Sequence, residues 1–212
     1  MDTLTTLPAR DVVRLLHTRE VSPLEAIDAS LARIAEVDGD VHAVNTLCAE
    51  RARERAAVLA EAPARSGRGW LAGLPFLVKD LVEVEGVRTT YGSPIFADLV
   101  PERSAIQIER VEGRGGIVLG KSATPEFGAG ANTFNEVFGV TRNPWDTRLT
   151  CGGSSGGSAV ALATGMAWLA DGSDLGGSLR TPASFCGVVG LRPSPGRVAE
   201  GLGASFDSLG VV

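Results

Sequence analysis

Only two of the 20 basic residues in this chain are lysines, Lys79 and Lys121, and both histidines, His17 and His42, fall in the first fifth of its 212 residues. A catalytic base in the later part must therefore be something other than histidine. Lys79 stands in Phe76-Leu77-Val78-Lys79-Asp80-Leu81-Val82, a stretch that is apolar on both faces of a strand. Such a strand is normally covered on both sides. Burial disfavours the ammonium form, so the lysine pKa falls and a neutral amine becomes available as a base. The competing reading is a lysine that snorkels near a strand end or pairs with Asp80, and this stretch alone does not choose between them.

Two glycine-dense serine loops supply the other half of a reaction. The first is Gly152-Gly153-Ser154-Ser155-Gly156-Gly157. The second is Gly172-Ser173-Asp174-Leu175-Gly176-Gly177-Ser178-Leu179-Arg180, whose last serine falls 24 residues after Ser154. Glycines before a serine let several backbone N–H groups converge on one point, as an oxyanion hole requires. A neutral lysine, a relay hydroxyl and a nucleophilic serine together make a base-activated nucleophile without histidine. The residues alone do not choose Ser154 over Ser155 as the relay.

Two other motif matches mislead. Gly115 to Ser122 fits the phosphate-loop pattern GxxxxGK[ST], but its four middle residues, Gly116-Ile117-Val118-Leu119, read as a strand. Pro125 also spoils the helix that should follow. The 152–157 loop fits the GxSxG nucleophile elbow twice, yet that mechanism needs a histidine after the serine and none follows.

Four stretches in order carry a resemblance: Gly73-Leu-Pro-Phe-Leu-Val-Lys79-Asp80, Gly152 to Ser158, Asp174 to Arg180, and Phe185-Cys-Gly-Val-Val-Gly-Leu-Arg192-Pro193. They resemble the amidase signature family from about Trp70 to the C-terminus, and the helices before them resemble that family's N-terminal arm. The resemblance implies an α/β fold, an α/β/α sandwich around a mixed β-sheet. It also implies a Ser–cis-Ser–Lys triad, with Lys79 as base, Ser154 as bridging serine before or within a cis peptide, and Ser178 as acyl-forming nucleophile. Backbone amides of Leu175, Gly176, Gly177 and Ser178 would form the oxyanion hole. Ser155, Asp174 and Arg180 take supporting roles, and Gly128 and Gly130 are candidates for substrate contact. Cys151 and Cys186 are assigned to packing, Cys186 within a buried apolar strand.

The implied activity is hydrolysis of a small carboxylic amide, with neither metal nor organic cofactor, a small-molecule amide as substrate, and no nucleic-acid or membrane partner. A homodimer stays open. The alternative is the family's glutamine-dependent tRNA amidotransferase relative, which would bring nucleic acid into play. Against it, Gly120-Lys-Ser-Ala-Thr-Pro-Glu126-Phe127 resembles the stand-alone amidases more closely. A further alternative is a non-catalytic fragment, because family members are roughly twice this length and the chain stops at Ser208-Leu-Gly-Val-Val212 in what should be a continuing segment. Such a truncated core is expected to expose apolar surface. The family's usual threonine is replaced by Ser173.

The elements that must position these residues fall into two regions, a helical arm over 1–69 and the first part of the signature core over 70–212. Pro8 to Glu20 is amphipathic. Ser22-Pro23-Leu24-Glu25 is a capping box with proline at the first helical position, followed by an apolar stripe of Leu24, Ile27, Leu31 and Ile34. A third helix runs from Cys48 to about Ala62, with Pro63 as its stop and a polar loop over 63–69. Beyond Trp70, strands are expected at Phe76–Val82, Ile117–Leu119, Met166–Ala170 and Val188–Leu191. Helices are expected after Ser104, from a second capping box, and over Ser158–Thr164. Strands alternating with helices imply a largely buried sheet.

Composition bounds the rest. With 44% hydrophobic residues and 21% charged, the chain can bury a core, which excludes disorder. A formal charge of −5 leaves no basic surplus for gripping phosphates. Three cysteines without a CxxC pair fit a reduced cytoplasmic setting and offer no zinc site. Neither a signal peptide nor a run of 18 apolar residues is expected to anchor the chain.

Overall fold

A computed structural model of the chain describes residues 4–61 and 67–199. The elements that position the site are α1 (Ala9–Thr18), α2 (Pro23–Val41), β1 (Val44–Leu47), α3 (Ala49–Glu61), β2 (Pro75–Lys79), α4 (Ile106–Gly113), β3 (Ile117–Ser122), β4 (Phe134–Asn135), β5 (Gly139–Val140), α5 (Gly156–Ala163) and α6 (Arg180–Cys186).

The central sheet has the order β1-β3-β2, with β3 antiparallel to β1 and parallel to β2. All five residues of β2 and all six of β3 are buried. Their continuous apolar sequence is explained by cover on both faces. On one side Leu77, Ile117 and Leu119 pack with Ile27 and Ile34 of α2, Ala52 and Ala56 of α3, and Val160 and Ala161 of α5. On the other, Phe76, Val78 and Val118 pack with Ile108 of α4 and with Val82, Val84 and Val87. The result is the expected mixed-sheet sandwich.

Several local expectations hold. Ser22 Oγ accepts the Glu25 N–H and Glu25 accepts the Ser22 N–H at 2.8 Å, closing the capping box with Pro23 at the helix start. The phosphate-loop match is a core strand, β3.

Other expectations are corrected. In the α2 stripe Ile27 and Ile34 are buried and Leu31 packs against the core, but Leu24 is 45% exposed, and Ala26 and Ser30 complete the buried face. Ser104 does not cap α4. Its N-cap is Ala105, and the Ser104 hydroxyl accepts the Glu85 N–H at 2.9 Å, serving a turn instead. Met166–Ala170 meets β2 through a single bridge, Leu77 to Ala170. Val188–Leu191 forms no strand, and its Val189 is 85% exposed. Apolar, β-branched sequence becomes a strand only where a partner edge is present. Cys186 is buried, as expected, but at the end of α6.

β1 and the small β4–β5 pair escaped the sequence reading. β1 pairs with β3 in the central sheet, and α2 and α3 pack into the core that covers it. Pro63, part of the 63–69 loop and Ser208–Val212 lie outside the described residues. No helix among the described residues is long and apolar enough to cross a membrane.

Candidate active site

β2 delivers Lys79 into the molecule at its C-terminal end. Side chains alternate along a strand, so Lys79 turns toward α5 and its preceding loop while Asp80 turns away. The Asp80 carboxylate accepts the Thr90 N–H at 3.1 Å and the Thr90 hydroxyl at 2.5 Å, and lies 3.6 Å from Lys121 Nζ. Asp80 is therefore the partner of Lys121, and the Lys79–Asp80 ion pair weighed from the sequence does not form.

Lys79 is completely buried. Its Nζ lies 2.7 Å from Ser154 Oγ, 3.0 Å from Ser155 Oγ and 2.8 Å from Ser173 Oγ. Burial, outweighing the attraction of Asp171 and Asp174, pushes its pKa down to about 7. The amine is thus poised to take a proton near neutrality.

The hydrogen bonds around Ser155 differ from those around Ser154. The Ser155 hydroxyl donates to the Ser173 carbonyl at 3.3 Å and accepts the Ser173 N–H at 3.2 Å. A hydroxyl has one proton, and for that of Ser155 the Ser173 carbonyl offers an acceptor other than Lys79. Ser154 has no such competing acceptor among the described residues, and the Gly153–Ser154 peptide bond is cis.

α5 starts where these serines end, and its first residues explain the glycine density. A Cβ on Gly157 would fall 2.2 Å from Ala123 N and 2.6 Å from Ala43 O; one on Gly156 would fall 2.2 Å from Thr133 Oγ1. Only glycine lets this helix start approach the end of β3 so closely.

Ser178 sits on the second loop, half-buried. Its carbonyl accepts the Ser155 N–H at 3.0 Å, which ties the two serine loops together. No hydrogen bond joins the Ser178 and Ser154 hydroxyls among the described residues. Asp174 anchors the loop by accepting the Gly177 N–H at 2.8 Å, the Leu179 N–H at 3.2 Å and the Arg180 guanidinium at 2.9 and 3.0 Å. Burial would raise the Asp174 pKa, but the Arg180 guanidinium and these N–H groups overcome it and hold the carboxyl well below its ordinary range. Arg192 reaches the same carboxylate at 3.5 Å, a contact the sequence reading did not anticipate.

Of the four amides expected to line an oxyanion hole, the Gly177 N–H is turned to Asp174. Those of Leu175, Gly176 and Ser178 donate to no described residue, and Leu175 and Gly176 are exposed. Gly128 lies beside Ser154, since a Cβ there would fall 3.6 Å from Ser154 Oγ. Gly130 is not brought to these side chains. Burial raises the Cys151 and Cys186 thiols to about 11 and about 12, so both stay protonated at neutral pH and act as packing groups.

Two residues were missed as site members. Ser173 carries a weak signal, being a hydroxyl inside the second glycine–serine loop. Asp171 carries none, because its partner is the main chain of a residue 92 positions earlier.

Comparison with known proteins gives this geometry a context. The Amidase family model matches residues 25–211. A glutamyl-tRNA(Gln) amidotransferase subunit from Moorella thermoacetica is 45% identical over 97% of this chain and 43% of its own length. The solved structure of a 6-aminohexanoate cyclic dimer hydrolase superposes with a TM-score of 0.86 at 34% identity, over 94% of this chain and 40% of that one. A bacterial aryl acylamidase of the amidase signature enzymes gives 0.84 at 33% identity, over 92% and 41%. The chain spans less than half the length of these relatives.

Proposed function

The chain belongs to the Amidase family, and from that premise we propose that it hydrolyses a small carboxylic amide through an acyl-enzyme on Ser178. The observation that carries this reading is the wholly buried Lys79 amine 2.7 Å from Ser154 Oγ. Neutral Lys79 takes the Ser154 proton while Ser154 takes that of Ser178. The freed Ser178 oxygen attacks the amide carbonyl carbon. Amides of Leu175, Gly176 and Ser178 receive the oxyanion, while Gly177 spends its N–H on holding the loop to Asp174. The relay then returns a proton to the leaving nitrogen as the C–N bond breaks, and water cleaves the resulting ester. For Ser178 to join the relay, its hydroxyl must rotate toward Ser154 when substrate enters, as apo-state catalytic hydrogen bonds commonly tighten on binding.

The test is reaction with a rhodamine fluorophosphonate, which modifies an activated serine, alongside release of amine from an amide library. Ser178→Ala should abolish both. Undiminished labelling or turnover in that variant would overturn the nucleophile assignment.

A second reading is favoured by one observation: relatives at 41–48% identity are named as glutamyl-tRNA(Gln) amidotransferase subunits. Under it the same serine would release ammonia from glutamine. Glutamine consumption exceeding that of simple amides would select this reading, and the reverse would select the amidase.

A further inference from the structure

We propose that Asp171 is a positioning residue of this site, a buried carboxylate that fixes Lys79 through its main-chain N–H and whose charge governs when that lysine can act as a base. The proposal rests on the reading of Lys79 as a base.

Asp171 lies where the Met166–Ala170 segment meets β2. Its backbone N–H donates to the Leu77 carbonyl at 3.0 Å. Its carbonyl accepts the Ser158 hydroxyl at 2.7 Å, so backbone bonds on both sides hold the residue rigidly. One carboxylate oxygen accepts the Lys79 N–H in a short bond. The other is buried without a hydrogen-bond partner. A buried carboxylate oxygen left unpaired is expensive, and a group with no role would be replaced by an apolar side chain at little loss. Geometry thus places a buried carboxylate, one oxygen of it without a hydrogen bond, against the main chain of Lys79.

The surrounding charges define its effect. All three bonds of Lys79 Nζ go to serine hydroxyls, so Asp171 acts on the ammonium across space. The acids attracting Lys79 are Asp171 and then Asp174, and Asp174 is already engaged with Arg180. Lys121 is attracted first by Asp80 and then by Asp171. Cys48, beyond Lys121, is held protonated by burial. Burial pushes Asp171 itself up to about 6 against the pull of both lysines, close to where Lys79 titrates. An ionised Asp171 favours the charged lysine, so removing its charge should make Lys79 a base at lower pH.

Because the chain has only two lysines, lysine labelled with ¹³Cε and ¹⁵Nζ gives two side-chain signals that can be followed through a pH titration of the full chain. A Lys121→Arg variant assigns them. In Asp171→Asn, which keeps an oxygen for the Lys79 N–H, the Lys79 midpoint should fall by about one pH unit, and Lys121, still facing Asp80, should move less. The rate of fluorophosphonate labelling at pH 6, relative to pH 9, should rise roughly fivefold, the gain in neutral amine for that shift. An unmoved Lys79 midpoint would overturn the proposal. Should Asp171→Asn not fold, the unaltered chain still decides: its Lys79 signal should show a second inflection near the Asp171 midpoint, and a single inflection refutes the coupling. The NMR readout needs no turnover, so failure of the amidase reading and failure of this proposal are separable.

Discussion

Replacing Lys79 by arginine or methionine tests the base directly. With its midpoint near 7, about half of Lys79 is neutral at pH 7, whereas an ordinary lysine would be neutral in roughly 3 of 10,000 molecules. Burial therefore multiplies the reactive form by more than about a thousandfold. The rate of Ser178 labelling by a fluorophosphonate should rise about tenfold per pH unit below pH 7 and level off above about pH 8. Arginine cannot supply that form, since its guanidinium stays protonated (pKa above about 12). Lys79→Arg should therefore lose at least about a thousandfold at every pH from 6 to 10, and Lys79→Met should lose as much. Circular dichroism and thermal melts would first establish that both variants fold. An arginine variant that retains substantial labelling, or a flat profile for the unaltered chain, would refute the argument and return Lys79 to a structural role.

Four further outcomes follow. The folded-state pKa of Lys79 lies below its value in the unfolded chain, near 10.5, so the unfolded chain binds more protons between about pH 7 and 10.5 and stability rises with pH across that window. The unfolding free energy of the unaltered chain should gain on that of Lys79→Met by up to about 1.4 kcal/mol per pH unit between pH 7.5 and 10, measured by urea titration; parallel lines would contradict the buried-amine argument. Asp174→Asn removes the charge that gathers Gly177, Leu179 and Arg180; Ser178 labelling should fall at least about tenfold, because roughly 1.5–3 kcal/mol attaches to each bond with a charged group. Gly157→Ala forces a Cβ to within 2.2 Å of Ala123 N and should destabilise by about 3 kcal/mol. Gly176→Ala, where nothing lies within 4 Å, should leave the melting temperature nearly unchanged.

Short-range patterns were legible because short-range physics produces them. The Ser22 capping box closed as read, since its bonds span three residues. The doubly apolar β2 was covered on both faces, since its sequence leaves no side for water. Where pairing partners decide, sequence was insufficient. Val44–Leu47 carries a polar Asn45 and Thr46 and became a strand only because β3 offered an edge, whereas the apolar Val188–Leu191 had none. Ser104 kept the pattern of a cap but was drawn to the Glu85 N–H by a turn that periodicity does not encode.

The candidate site divides in the same way. Residue types and spacing by themselves determined that a base in the later part is not histidine, that Lys79 and two glycine–serine loops could supply a base-activated nucleophile, and that the chain resembles the amidase signature family. The tertiary structure decided the rest, because hydrogen bonds join atoms rather than residue types. The Ser155 hydroxyl met the main chain of Ser173 while that of Ser154 met Lys79 alone among the described residues, strand alternation sent Asp80 to Lys121 instead of Lys79, and the Gly177 amide was drawn to Asp174. Asp171 could be found only in three dimensions, for the atom it holds is a main-chain N–H that every residue but proline carries, and sequence has no mark for which one a distant carboxylate will reach.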